Sequence, residues 1–367
     1  MIHQVMTDSH NAWRRARQRR GRPPVQKEAV ESYVRELVVS GRLKPGDSVP
    51  TRRGLAAQFD ASPVTVQAAV AGLVREGFLT VRSQRTFVSE NSPHLCRYAV
   101  VLPVARDEIE KNRFWKALVL ETERIRDQEG RDIRIYFDVN GGATSPGEVE
   151  LLEDVARRRL AGIIFASAPF LLKKSPILRR QGIARVAFMT PAKGYAGLST
   201  ITLSGFEARA LALMAASGRK RVAVLCTPGV EEEWERRILK TPGIRMRKSW
   251  LQSVSQTAPQ SARRCMWLLM DTARTERPDG LVITDDNLVE AATLGLKEAG
   301  ARVPAQLQVI AHCNYPRLPH AHVPVEWVGY DARLAVKTAI EDLDRQIRKG
   351  SPPRRLSVGP VVGRQDS

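Results

Sequence analysis

Apolar residues follow two different rhythms along this chain, and the change near residue 96 divides it. Before that point the rhythm is helical. Val30, Tyr33, Val34, Leu37 and Val38 lie at i, i+3, i+4, i+7 and i+8 and predict a first amphipathic helix. Val66, Ala69, Val70, Leu73 and Val74 repeat that spacing. Ser62 stands before this second stripe as an N-cap, and Pro63 occupies the first helical position, where its missing N–H costs nothing. Gly77 follows where a left-handed C-cap belongs. A shorter helix capped by Thr51 would bury Leu55, Ala56 and Phe59, leaving 59–62 as the turn between two helices. Phe78-Leu79-Thr80-Val81 and Thr86-Phe87-Val88 read as two strands around Arg82-Ser83-Gln84-Arg85. The order is helix, helix, turn, helix, hairpin.

Beyond Cys96, short apolar runs of β type alternate with helical stretches. The runs are 98–102, 133–137, 162–165, 186–189, 222–225, 281–283 and 307–310. Helical patterns cover 114–130, 147–160, 206–218, 259–274, 287–300 and 332–350. Nearly continuous apolar strands separated by helices predict parallel sheet covered on both faces. About 270 residues exceed one open sheet of this kind, so two lobes are expected. Ligands in such sheets bind outside the carboxyl ends of the strands, which makes the gap between two lobes the candidate pocket. The resulting class is multidomain α/β. A basic arm expected to be disordered spans 1–24 and a winged helix-turn-helix 25–90. A short linker covers 91–95, and a two-lobed α/β domain 96–367.

Charge sharpens this division. The 367 residues carry a net +19, with a pI near 10.4, which suits a polyanionic partner. Residues 1–92 hold 15 Lys and Arg against 8 Asp and Glu, a net of +7, so the remaining +12 lies on the larger part. The run from Trp13 to Arg22 is either a solvated tail or an arm reaching phosphates or a minor groove. The four cysteines form no C-x-x-C pair and are expected reduced and mostly buried. His312, Cys313, His320 and His322 cluster in a proline-rich stretch that reads as a surface loop rather than a metal site. No run reaches transmembrane length and the N-terminus lacks a signal-peptide core, so a cytoplasmic protein without membrane contact is expected. No motif calls for a cofactor or for catalysis.

The face of the third helix opposite its apolar stripe carries Thr65, Gln67, Ala68, Ala71 and Gly72. These small side chains would let the helix lie close in a groove, and Gly72, at a cost of ~1 kcal/mol in a helix interior, fits a close approach to DNA. Gln67 suits adenine, and Arg53 a guanine or a phosphate. Arg82 and Arg85 place two guanidinium groups at the hairpin tip. A purely structural helical domain is the alternative.

Residues 25–90 resemble the N-terminal domain of GntR-family transcriptional regulators. The likeness rests on Gly41 to Asp47, Pro50 to Ala56, Ser62 to Val66, Leu73 to Gly77 and Arg85 to Val88. It implies DNA contacts by Arg53, Ser62, Pro63, Thr65, Gln67 and the wing with Arg82 and Arg85, and Arg52 is taken with them. The family often has Arg at the positions of Pro63 and Gln67, and glycines where Ser83, Gln84 and Arg85 stand. Base preference therefore does not carry over.

Residues 96–367 resemble the effector domain of LacI/GalR-type repressors, itself similar to periplasmic sugar-binding proteins. The anchors are Tyr98 to Pro103, Ala161 to Ala166, Gly205 to Ala210, Gly218 to Val224, Arg277 to Val282, Asp285-Asp286 and Gly300 to Pro304. The combination is similar to arabinose-responsive repressors. It implies a small-molecule effector, a sugar or another metabolite, a homodimer, and duplex operator DNA as partner. Asp286 is the matched effector carboxylate, or else it caps the following helix. Phe114 and Trp115 either stack on a ligand or pack into the core. Arg236 or Arg237 stands where the family has a clamping arginine, or else is a surface arginine, and Asn314 lies at a further effector position. Leu203-Ser204 and Ala311-His312-Cys313-Asn314 depart from the family pattern, as does the charged stretch 231–243. The resulting expectation is a ligand-responsive repressor. The alternatives are a constitutive DNA binder with a degenerate cleft and a ligand-binding module that no longer binds DNA. An aminotransferase-like body using pyridoxal phosphate, as some GntR-headed proteins carry, would need more chain and a lysine motif that is absent.

Overall fold

A computed structural model describes residues 23–271 and 276–363, with side chains from residue 26 onward. The arginine run at 14–22 lies outside the described residues. The chain divides into two compact units. One ends at Cys96 and takes in Arg157–Arg159; the other comprises Arg97–Ala156 and the chain from Leu160 onward.

The first unit is a three-helix core with a hairpin. Helix α1 is Pro23–Val39, α2 Arg52–Phe59 and α3 Pro63–Glu76; strands β1 Leu79–Arg82 and β2 Arg85–Val88 pair antiparallel. Helix α1 starts at Pro23, inside the stretch read as arm. Val30, Val34, Val38, Leu55, Val66, Val70, Leu73 and Phe78 share one core, so the helical stripes meet as their spacing requires. The caps fall where expected. Thr51 Oγ1 accepts from Gly54 N at 3.1 Å, and Ser62 Oγ accepts from Thr65 N at 3.1 Å. Gly77 closes α3 at φ 89°.

Two local features differ from what spacing alone predicts. Gly72 is buried rather than facing outward, and a Cβ there would stand 2.5 Å from Glu31 Oε1 of α1. The glycine serves the packing of α3 on α1, not an approach to DNA. The segment read as a linker contains a helical turn, α4 Pro93–Cys96. Ser92 Oγ donates to Ser89 O at 2.9 Å, and the His94 ring stacks on Phe78 at 5.8 Å.

The second unit holds two six-stranded sheets. The first lobe contains β3 Tyr98–Val101, β4 Ile133–Tyr136, β5 Gly162–Phe165, β6 Ala184–Phe188, β7 Ser199–Leu203 and a late strand, β13 Arg355–Val358. Their order is β13-β7-β6-β5-β3-β4, parallel throughout. The second lobe contains β8 Val222–Cys226, β9 Leu251–Ser253, β10 Gly280–Ile283, β11 Gln308–Tyr315, β12 Glu326–Asp331 and β14 Val361–Gly363. Their order is β14-β12-β11-β10-β8-β9, parallel except for the antiparallel edge strand β14. Strands β3, β5, β8 and β10 are buried along their whole length. Apolar clusters cover both faces of each sheet, which is why these strands read as unbroken apolar runs.

The helices of the first lobe are α5 Arg113–Glu129, α6 Pro146–Ala156 and the short α7 Pro176–Arg179. Those of the second are α8 Phe206–Ala216, α9 Glu231–Leu239, α10 Gln260–Leu269 and α11 Val289–Glu298. The chain crosses between lobes after β7, after β12 and after β13. After the second crossing comes α12 Ala332–Lys349, capped by Asp331, whose carboxylate accepts from Leu334 N at 3.1 Å. Its Ala335, Val336, Ala339, Ile340 and Leu343 pack into the first lobe. The buried Asp342 accepts from Arg345 at 3.0 Å and Arg354 at 2.8 Å, tying α12 to the approach to β13.

His312 and Cys313 lie within β11, not in a surface loop. The reason is pairing: Cys313 opposes Gly329 of β12, whose lack of a side chain lets the strands close. A Cβ at Gly329 would come within 1.8 Å of the Cys313 carbonyl oxygen.

Candidate DNA-binding surface and effector cleft

In the first unit, the N-terminal turn of α3 is presented outward. Ser62, Pro63 and Gln67 are exposed, Thr65 is half-exposed, and Val64 is 77% exposed. The Ser62 and Thr65 hydroxyls bond one another at 2.8 Å, fixing both side chains at the helix start. Arg52 and Arg53 open α2 and are exposed. Arg82 and Arg85 face each other across the hairpin and are likewise exposed. The turn between them is Ser83-Gln84, at φ 46° and 63°. Two successive left-handed residues make the tight hairpin loop that usually selects Asn or Gly. The wing thus has the glycine-type backbone without the glycines. Exposed guanidinium groups can take phosphates, while a glutamine one turn into an exposed helix can pair with a base edge.

In the second unit, the carboxyl ends of the strands carry the candidate effector groups. Asp286 follows β10 and is 3% exposed. Asn314 near the end of β11 donates Nδ2 to Asp286 Oδ2 at 2.8 Å, so these two expected residues are brought together. Burial pushes the Asp286 carboxyl up to about 7; the Asn314 bond opposes this, the Asp285 charge adds to it, and Arg113 opposes it. Asp285 accepts from Asn287 N at 2.9 Å. Asn287 Oδ1 accepts from Arg113 N at 3.1 Å, and Arg113 Nη2 lies 3.8 Å from Glu290 Oε2, so the start of α5 touches the loop and helix after β10 across the lobes.

The aromatic pair separates. Phe114 packs edge-on against Phe188 at 5.8 Å, while Trp115 lines a cavity of about 300 Å³ at the ends of β3, β4 and β5. Arg236 and Arg237 are bound within their own helix, to Glu232 O at 3.3 Å and Glu233 Oε1 at 2.6 Å. Their helix, α9, was not legible because its stripe reduces to Trp234 and Ile238 among charges. His312, expected in a loop and part of the four-residue departure from the family pattern, takes a different place. It sits two residues before Asn314 on the same strand face, with its ring 5.2 Å from Phe206 and 5.5 Å from Tyr330. Burial holds it down to about 4, so it is neutral at pH 7, and its Nδ1 has no hydrogen-bond partner among the described residues. Alternation along β11 was the signal available for it.

His320 and His322 pack ring against ring at 4.6 Å. Among the described residues, no group of three or more His, Cys, Asp or Glu is placed to hold a metal ion, and no helix is long and apolar enough to cross a membrane.

Comparison with known proteins agrees with this architecture. Residues 26–88 match the model of bacterial regulatory proteins of the gntR family, and residues 178–366 match the periplasmic binding protein-like domain. The chain is 41% identical over 66 residues to the HTH-type transcriptional repressor YtrA of Bacillus subtilis, covering 18% of this chain and 51% of that one. It is 26% identical over 136 residues to the arabinose metabolism transcriptional repressor of Geobacillus stearothermophilus, covering 37% and 36% respectively. The chain thus spans about half or less of these relatives. Among solved structures, the transcriptional regulator CelR in complex with cellobiose is similar in fold, with a TM-score of 0.56 at 18% identity, over 87% of this chain and 100% of that one. The chain belongs to the periplasmic binding protein-like family, and its residues 26–88 form a helix-turn-helix domain similar to the gntR family of bacterial regulatory proteins.

Proposed function

We propose that this protein is a ligand-controlled transcriptional repressor that binds operator DNA as a homodimer. The observation that carries the reading is the exposed start of α3. Ser62, Thr65 and Gln67 present polar groups there, with Arg52, Arg53, Arg82 and Arg85 exposed in the same unit. A two-fold protein suits a two-fold site, which supports a roughly palindromic operator. The names of two relatives, both repressors, support the sign of regulation.

The effector would occupy the cleft between the lobes, in contact with Asp286, Asn314 and Trp115. Control requires that the ligand bind two lobe arrangements unequally. The Arg113 contacts with Asn287 and Glu290 cross between lobes and would differ between such arrangements. The charge of +19 supports a salt-dependent, non-specific component of DNA binding.

Selection from a random duplex pool with the full chain tests the first part. Enrichment of a sequence with two-fold symmetry is expected, and a Gln67→Ala chain should relax the preference at one position of each half-site. No preference for any duplex over random DNA at moderate ionic strength refutes the reading. Unchanged base preference in the variant removes Gln67 from the base-reading set.

A further inference from the structure

The cavity beside Trp115 is built almost wholly from hydrocarbon. Val101, Val139, Phe165 and Leu172 line it with Trp115, and its polar wall residues are Asn140 and Ser167. A polyhydroxylated ring placed there would lose water from most of its hydroxyls without gaining partners, which costs more than apolar burial returns.

The mouth is apolar as well. Phe170 and Leu171 are 65% and 73% exposed on consecutive positions of a short 3₁₀ turn. That turn is held in place. Gly141, at φ 88°, passes so close that a Cβ would lie 2.8 Å from Leu171 Cβ and 2.9 Å from its carbonyl oxygen. The buried Glu148 carboxylate accepts from Asn140 N at 3.1 Å and Gly141 N at 2.9 Å, fixing the loop beneath. Two adjacent large apolar side chains held in solvent at a cavity mouth are the kind of apolar surface that ligand-binding grooves carry.

The strand ends of the other lobe carry two carboxyls. Asp285 and Asp286 follow β10; Asp285 accepts from Asn287 and Gln256 and Asp286 from Asn314, and the His312 ring is neutral. The cation whose charge reaches Asp286, Arg113, lies 3.8 Å from Glu290, whose negative charge offsets it. An anionic ligand head is disfavoured there and a donor is favoured.

We infer that the cleft takes an amphipathic small molecule rather than a bare sugar. Its aromatic or compact alkyl end fills the cavity beside Trp115, and its non-anionic end donates hydrogen bonds to the second lobe. This rests on the proposal that the cleft holds the effector. The size agrees: an apolar cavity of about 150 Å³ holds benzene, so about 300 Å³ has room for a substituted or fused ring.

Calorimetric titration of the full chain with 2-phenylethylamine, 2-phenylethanol, phenylacetate, D-glucose and L-arabinose, each to about 10 mM, tests the assignment. Binding by the amine or the alcohol is expected, with phenylacetate and both sugars silent. Ala168→Trp, which fills the cavity, should weaken the aromatic probe at least about tenfold. Phe170→Ser, at an exposed position that the fold does not need, should weaken it about threefold. Sugar binding without aromatic binding overturns the inference, as does silence from all three aromatic probes or an unchanged affinity in both variants. Operator affinity measured in parallel separates the two proposals. Aromatic binding that leaves operator affinity unchanged removes ligand control and keeps this assignment, whereas release of operator by a sugar keeps control and overturns it.

Discussion

Asp286 is a buried carboxyl whose ionisation the fold resists, and this makes stability depend on pH in a defined direction. Its folded value is about 7, against 3.8 for the unperturbed group. Below pH 3.8 both states are protonated and the group makes no difference. Between 3.8 and about 7 the unfolded chain ionises and the folded one does not, so stability falls as pH rises. Above about 7 both are ionised and the loss is complete. At 1.36 kcal/mol per unit, the full penalty is about 4 kcal/mol at pH 8 and about 2 kcal/mol at pH 5. Asp286→Asn removes the titration while keeping an oxygen to accept from Asn314. The new amide N–H groups need partners, which adds an offset of about 1–3 kcal/mol that does not vary with pH. The clean observable is therefore the slope. Denaturant unfolding of both proteins at pH 5 and pH 8 should show the variant gaining about 2–3 kcal/mol on the parent across that interval. Parallel pH profiles would refute the claim that Asp286 is held against its ionisation. Such a group is stability given up at one position, which fits the effector contact proposed for Asp286.

Three further outcomes follow from the local geometry. Ser62→Ala removes the cap of α3 and its bond to Thr65, and should cost about 1 kcal/mol in denaturant unfolding of the head transition; no change would mean the cap is replaced by solvent. Gln84→Gly relieves a left-handed residue in the wing turn and should raise the stability of the same transition by about 0.5–1 kcal/mol, whereas a loss would contradict the hairpin conformation. Gly329→Ala drives a methyl group into the Cys313 carbonyl and should cost at least about 3 kcal/mol, read as loss of the second unit's cooperative transition; a near-neutral variant would show that β11 and β12 are not paired in this register.

Much of the architecture could be read from the chain because local chemistry dictates it. The stripes 30–38 and 66–74, the caps at Thr51, Ser62 and Gly77, and the apolar strands 98–102, 162–165, 222–225 and 281–283 each record a periodicity or a capping group that acts over a few residues. Helix propensity and burial agree at those places, so the element and its type were determined by sequence alone. What only the tertiary structure decided depends on which distant segment arrives opposite. Gly72 reads as a groove-facing residue until Glu31 is brought against it. His312 and Cys313 read as loop until β12 supplies Gly329 as their neighbour. Phe114 and Trp115 are adjacent and chemically alike, yet one meets Phe188 and the other a cavity. Late strands such as β13 and β14 are short and partly exposed, and they exist because a sheet edge in each lobe offers them hydrogen bonds. Spacing along a chain specifies which side of an element is apolar, but not what that side will touch; contacts between residues tens or more positions apart are settled only when the chain folds.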